Sequence, residues 1–351
     1  MVLDKIIFFF LLIIFNLFLI KYYKYFFLKN IVDKDFNKPQ AFHTHPTIRT
    51  GGISILFFLI LFSIFIKNDG YNNYFFAVIT LSIIFFILGF LEDIRITSAP
   101  LVRLFFLFFL SLVVLFYFDI HVLKTQVKFI NNIIYTNKFL SIIFVCLCLM
   151  FIVNGCNFID GFNGLLIIHS LIIFTILYFV NIWNNNNLNI ENFLLFFNLI
   201  LISIFIFNFP KAKIFLGDSG AYIIGVILAI TTIEISNLNP KIPPFFFANL
   251  LFYVFFEVIF SFFRKAIVEK KSPFAPDKKH LHMLIFKSLN KKIENTLKAN
   301  FLTSLIINII YFIVIIPSIL YYKDEFFCKT YFFFLIIFYC FSYFYLYLEK
   351  K

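Results

Sequence analysis

The sequence predicts an all-α, polytopic integral membrane protein, and three observations lead there. Of 351 residues, 62% are hydrophobic and 14% charged, which leaves too little polar surface to clothe a water-soluble globule. The mean hydropathy is +0.97. Apolar runs of about 20 residues, the length that crosses a bilayer as a helix, recur between short polar connections along the whole chain. The 60 phenylalanines are spread through these runs and single out none of them, so aromatic stripes read as packing.

On this rule the chain divides into about eleven transmembrane helices, near 5–27, 51–67, 74–91, 101–118, 139–154, 165–182, 190–209, 219–235, 245–263, 299–322 and 330–347. The first run, Ile6 to Ile20, follows Asp4 and Lys5, precedes KYYKYFFLKN and lacks a small-residue cleavage site. It reads as an uncleaved span. The connections alternate in charge. Those after spans one, three, five, seven and nine hold Lys21, Lys24, Lys29, Lys34, Lys38, Arg49, Arg95, Arg103, Lys211, Lys213 and the dense run from Arg264 to Lys298. The others hold far fewer cations. By the positive-inside rule the first set is cytoplasmic, which puts the N-terminus outside and the C-terminus in the cytoplasm. The outer connections KNDGYNN, WNNNNLN and SNLNPKIPP have turn composition, and 119–138 has mild β character. Five cysteines show no metal-ligand spacing and read as packing residues.

Every patch equipped for chemistry falls on the cytoplasmic side. In NGCNFIDGFNGL, Asn157, Asp160 and Asn163 sit among glycines between two apolar runs. An ionised acid there needs a partner, water or a cation, although a D-G-x-N-G run also serves as a plain turn. In LEDIRITSAPLVR the adjacent Glu92 and Asp93 precede Arg95 and Arg103. Paired like charges suit a cation or a proton-handling role, or else form an acidic helix end balanced by the arginines. In PKAKIFLGDSGAY, Asp218 opens a span, where an acid also serves as a cap. G-D-S-G there is no protease loop, because AYIIG runs on into a membrane helix. In RKAIVEKKSPFAPDKKHLHML, basic residues surround Asp277, His280 and His282, which suits a phosphorylated substrate or anchors the chain at lipid headgroups. Glu257 is the one acid well inside span nine, about two turns before Arg264. HTHPTIRTGG offers His43, His45 and Arg49 ahead of Gly51 and Gly52, which let backbone approach a phosphate or, the reading preferred, a neighbouring helix.

Taken in order, TIRTGG, G-F-L-E-D with a downstream arginine, N-x-x-N-x-x-D-G-x-N-G-L, F-L-G-D-S-G and S-P-F-x-P-D-x-x-H-L-H resemble the polyprenyl-phosphate N-acetylhexosamine-1-phosphate transferases of glycosyltransferase family 4. The resemblance covers about residues 40–290 of a single transmembrane domain. The S-P-F-x-P-D-x-x-H-L-H form is similar to the UDP-GlcNAc branch, whereas the MurNAc-pentapeptide translocases carry three consecutive histidines there.

The resemblance implies transfer of an N-acetylhexosamine 1-phosphate from a UDP-sugar to polyprenyl (undecaprenyl) phosphate. The products are polyprenyl diphosphate-sugar and UMP, and the step initiates O-antigen, teichoic-acid or other envelope polysaccharide synthesis. It implies Mg²⁺ (or Mn²⁺) as cofactor, a bacterial inner-membrane location and a homodimer. Carried over by motif, Asp218 is the principal metal ligand, and Asn157 and Asp160 contact the nucleotide or the metal's shell. Asp93 with Glu92 binds or deprotonates the lipid phosphate, and Arg49 lies near it. His280 and His282 hold the diphosphate with help from Arg264, and Asn163, Glu257 and Asp277 are further substrate-binding candidates. The chain departs from the pattern at Glu92 and Glu257, where many members have Asp, at Asn163, often Asp, and at Met283, a histidine in some. Two other classes share the spans and basic loops. A flippase or secondary transporter would place its polar residues near the midplane in broken helices, and a non-catalytic scaffold would tolerate loss of these acids.

Overall fold

The computed structural model describes residues 2–23, 31–33, 46–65, 73–96, 99–184, 187–273 and 277–348. His43 and His45 lie outside the described residues, as does 274–276 of the S-P-F-x-P-D motif.

The protein is a helical, multi-pass membrane protein. Among the described residues, nine helices are long and apolar enough to cross a bilayer. They are α1 (Val2–Tyr22), α3 (Asn73–Asp93), α4 (Pro100–Tyr117), α6 (Lys138–Ile159), α7 (Leu165–Trp183), α8 (Leu188–Asn208), α9 (Gly217–Leu238), α13 (Thr296–Leu320) and α14 (Glu325–Leu348). The ninth expected span is a broken pair, α10 (Pro244–Leu250) and α11 (Phe252–Phe263), bent by 75° and running on through a π-helical turn, Arg264–Val268. The second is α2 (Gly51–Phe65), whose apolar stretch Gly51–Ser63 is shorter than a full crossing requires. Nine or ten spans therefore meet the length criterion, against eleven read from hydropathy.

Two features correct the sequence reading. The 119–138 segment is not β-like. It forms the helix α5 (Lys128–Thr136), where Phe129, Ile130, Ile133 and Ile134 recur with helical rather than alternating period. The helical bundle also carries a small sheet. β1 (Val32–Asp33) pairs antiparallel with β2 (Thr47–Arg49), which pairs parallel with β3 (Ile214–Phe215).

α9 is the most buried span and the bundle's centre. Small residues let its neighbours approach it backbone to backbone. A Cβ on Gly89 of α3 would lie 2.6 Å from the Ser219 Cα, and one on Gly225 would lie 2.7 Å from the Val153 Cα of α6. Gly51 and Gly52 do the packing expected of them. A Cβ on Gly51 would lie 2.7 Å from the Leu216 Cα, one on Gly52 would collide with Ser219, and the Gly52 N–H donates to the Leu216 carbonyl at 3.0 Å. Two strand-to-helix units, β2–α2 and β3–α9, thus run side by side. Their parallel register sets Arg49 opposite Phe215, two residues before Gly217. A helix α12 (Leu281–Ile293) follows the basic loop.

Candidate active site

Where these elements converge there is a cavity of about 1130 Å³. Its polar end is lined by Arg49 from β2, Glu92 from α3, Arg103 from α4, Asn157 and Asp160 at the end of α6, Asp218 at the start of α9, and Lys265, Asp277 and His280 beyond α11. The remaining wall is apolar, with Leu101 and Phe105 of α4, Leu147 and Phe151 of α6 and Phe262 of α11, all exposed. Residues scattered over more than 200 positions of sequence meet here because both strand-to-helix units begin at the same end of the bundle.

Five carboxylates border this space, those of Asp33, Glu92, Asp160, Asp218 and Asp277. Three of them are paired. Asp33 holds Arg49 at 2.6 Å, Glu92 holds Arg103 at 3.1 Å, and Asp277 holds Arg264. Asp160 and Asp218 have no cation within 4.0 Å among the described residues. Asp218 instead accepts one hydrogen bond, from Asn157 Nδ2 at 2.9 Å. Asp160 is pushed up to about 8 by burial and by its neighbours Asp218 and Asp93, against the pull of Arg49. That destabilisation of its charged form is what a bound divalent cation relieves.

These two groups fit Mg²⁺. No three His, Cys, Asp or Glu side chains converge into a metal cage among the described residues. Mg²⁺ is commonly held by one or two carboxylates, with water and substrate phosphates completing its octahedron. Asp160 and Asp218 supply that number.

Asp93 stands apart from this pair. Its carboxylate is buried, accepts from the amides of Asp218 at 2.9 Å and Ser219 at 3.1 Å and from Ser219 Oγ at 2.5 Å, and lies 3.8 Å from Arg49. It caps the first turn of α9, a task normally done by a local residue. Gly217 makes room for it. With φ +74° and the Asp93 Oδ1 only 2.5 Å from where a Cβ would sit, no side chain fits.

The histidines form a second cluster. His280 and His282 stack with ring centres 5.4 Å apart, but only His280 borders the cavity. Its Nδ1 lies 2.9 Å from Glu257 Oε1. Glu257, buried in α11, also accepts from the Leu281 amide at 3.3 Å and from the Tyr339 hydroxyl at 2.6 Å. It stands behind His280 rather than on the cavity wall. His282 is fully buried, with its Nδ1 3.4 Å from the Tyr253 hydroxyl, and burial pushes its pKa down to about 3.

Arg264 is likewise committed. It bridges Asp277 and Glu269, the latter at 2.7 Å, and closes the loop after α11. Burial opposes the ionisation of Asp277, yet its hydrogen bond to Arg264 holds its pKa below the ordinary carboxylate value. Asn163 borders the cavity and is also tied to the scaffold. It donates from Nδ2 to the Pro210 carbonyl at 2.8 Å, a bond an ionised Asp could not make, and its N–H donates to Asn300 Oδ1 at 2.9 Å.

The structure adds Asp33, Arg103, Lys265 and Tyr339 to the residues chosen from sequence. Arg103 carried a signal, following the acid pair at helical reach. Lys265 was indistinguishable from the lysines around it, yet it is buried and its Nζ donates to the Pro273 carbonyl at 3.1 Å. Nothing in an aromatic-rich last helix marks Tyr339.

Known proteins share this arrangement of sequence. Residues 75–236 match the profile of a family described as glycosyl transferase family 4. An undecaprenyl-phosphate alpha-N-acetylglucosaminyl 1-phosphate transferase of Thermotoga maritima is 32% identical over 139 residues, 40% of this chain and 41% of that protein. A phospho-N-acetylmuramoyl-pentapeptide-transferase of Streptococcus agalactiae is 28% identical over 192 residues, 52% and 55% of the two chains. One of Borrelia turicatae is 28% identical over 256 residues, 65% and 72%. The chain thus matches about half the length of the first two of these relatives. The matched segment runs from α3 through α9 and carries Glu92, Asp93, Asn157, Asp160 and Asp218; over that segment the chain is similar to glycosyl transferase family 4.

Proposed function

We propose that this protein transfers an N-acetylhexosamine 1-phosphate from a UDP-sugar to polyprenyl phosphate, with release of UMP, at the cytoplasmic face of a bacterial inner membrane. The observation that carries this reading is the make-up of one cavity. Two carboxylates without ion pairs among the described residues, Asp160 and Asp218, share it with Arg49, Arg103, Lys265 and His280, and its flank is a wall of exposed apolar side chains of α4, α6 and α11. A lipid phosphate and a soluble diphosphate can both reach that point, one along the wall and the other from water.

The chemistry joins two anions, so charge neutralisation and alignment are what the protein has to supply. An oxygen of the lipid phosphate attacks the phosphorus bearing the sugar, the bond from that phosphorus to the bridging oxygen breaks, and UMP leaves with that oxygen. Arg49, oriented by Asp33 and Asp93, and Arg103, oriented by Glu92, present guanidinium groups to phosphate oxygens. His280 offers Nε2 to the cavity, since its Nδ1 is held by Glu257. Asp218 and Asp160 would hold Mg²⁺, which would supply charge to offset repulsion between the phosphates. The sugar is read as N-acetylglucosamine, on the H-L-H motif and on the relative from Thermotoga. A MurNAc-pentapeptide substrate is the second reading, favoured by the names of the streptococcal and borrelial relatives.

The test is UMP release by purified, detergent-solubilised protein given polyprenyl phosphate, Mg²⁺ and a panel of UDP-N-acetylhexosamines, including UDP-MurNAc-pentapeptide. Release that requires lipid, metal and Asp218 supports the reading and names the sugar. Folded protein that releases no UMP with any donor contradicts it.

A further inference from the structure

We propose that Tyr339, on the last helix α14, is a positioning residue for His280, acting through Glu257. The three side chains form one relay that joins the C-terminal helix to the cavity wall. The Tyr339 hydroxyl donates to Glu257 Oε2 at 2.6 Å, and the other carboxylate oxygen lies 2.9 Å from His280 Nδ1 and 3.3 Å from the Leu281 N–H. Tyr339, Glu257 and His280 are 4%, 1% and 3% exposed, so water does not compete for these bonds.

The chemistry of the groups fixes their roles. A carboxylate only accepts, so Nδ1 of His280 must carry a proton, and Nε2, 4.0 Å from Asp277 Oδ2 on the same wall, is the nitrogen left for the cavity. A buried carboxylate is stable only when its oxygens are satisfied. Tyr339 supplies the donor that Oε2 lacks otherwise among the described residues. Glu257 also sits at the N-terminus of α12, whose cap residue His280 provides no side-chain cap of its own, so the same carboxylate anchors the helix that carries His282 and Met283. The Tyr339 ring is held in turn by Phe256 at 5.0 Å and Phe260 at 5.2 Å between ring centres. Seating of α14 against α11 therefore sets the orientation of a ring on the cavity wall.

A matched control lies one turn further along α14. Tyr343 is equally buried and packs on the same Phe260 at 4.6 Å, but its hydroxyl has no hydrogen-bond partner among the described residues. Removing that hydroxyl breaks no bond.

The inference rests on the transferase reading only for what Nε2 touches, so its test includes a readout independent of turnover. In ¹⁵N-histidine-labelled protein the six histidines give a small set of ring signals, and His280→Gln identifies the one of interest. The relay requires that signal to show a protonated Nδ1. Tyr339→Phe should shift it towards a mixture of tautomers, and Tyr343→Phe should leave it unchanged. If the protein turns over UDP-sugars, Tyr339→Phe should also lower kcat about tenfold with little change in KM, the size seen when a supporting hydrogen bond to a functional histidine is lost. A His280 signal identical in wild type and Tyr339→Phe, or an unprotonated Nδ1 in the wild type, overturns the proposal whether or not any sugar is turned over.

Discussion

At the scale of single residues, the distinction that matters is between carboxylates that have a cation and those that do not. Asp33, Glu92 and Asp277 are paired with arginines, whereas Asp160 and Asp218 are not, among the described residues. Asp218→Asn keeps the shape and removes the charge, and should lower the rate of UMP release about a hundredfold or more. Asn157→Ala removes one hydrogen bond to Asp218 and should cost about tenfold, because it loosens a ligand without deleting it. Initial rates on protein of matched thermal stability check both. Wild-type protein should melt at a higher temperature with Mg²⁺ than with EDTA, and Asp160→Asn with Asp218→Asn should abolish the difference. Gly217→Ala belongs to another class. It places a Cβ against Asp93 at a left-handed backbone position, so it should destabilise the fold by about 1–3 kcal/mol and lower the yield of folded protein.

At the scale of elements, how much was legible depends on how each part is encoded. The patches around Asp160, Asp218 and His280 could be read because polar residues between apolar runs stand out, and their shared side followed from the charge of the connections. The sheet could not be read. Its strands are two or three residues long, too short for any period to show, yet they bring Arg49 to the start of α9. The cap role of Asp93 was hidden for a similar reason, since it joins positions 125 residues apart. Asp93→Ala should cost about 1–2 kcal/mol of stability through loss of that cap, measured by thermal unfolding, as well as reducing activity. The loop after α11 gives a pH test. Because Arg264 holds the Asp277 pKa below its ordinary value of 3.8, the folded state binds fewer protons than the unfolded one as pH falls towards that value. The pair therefore contributes stability that is fully present above about pH 4 and is lost as pH falls through the folded pKa. Asp277→Asn should flatten the dependence of melting temperature on pH between about 5 and 3.

At the scale of the whole molecule, the account is that a bundle built around α9 gathers two strand-to-helix starts, one acid pair and one histidine at a single end, beside a wall open to lipid. Composition alone gave the class of fold, and the spacing of apolar runs located every long helix to within a few residues. It overcounted at α2, where hydropathy extends into 66–67, and it ran through the 75° break between α10 and α11, which has no glycine or proline at its corner to announce it. The proposed orientation follows from the positive connections. Single cysteines introduced on a cysteine-free background at Lys211 and at Lys241 should be labelled from opposite sides of the membrane, Lys211 from the cytoplasm. The central claim concerns which bond breaks, and UDP-N-acetylglucosamine carrying ³²P at the phosphorus next to the sugar tests it most directly. Phosphosugar transfer predicts label in the lipid extract and unlabelled UMP in the water phase, both lost with Asp218→Asn. Label remaining in water as UDP, with sugar alone passing to the lipid, would contradict the account.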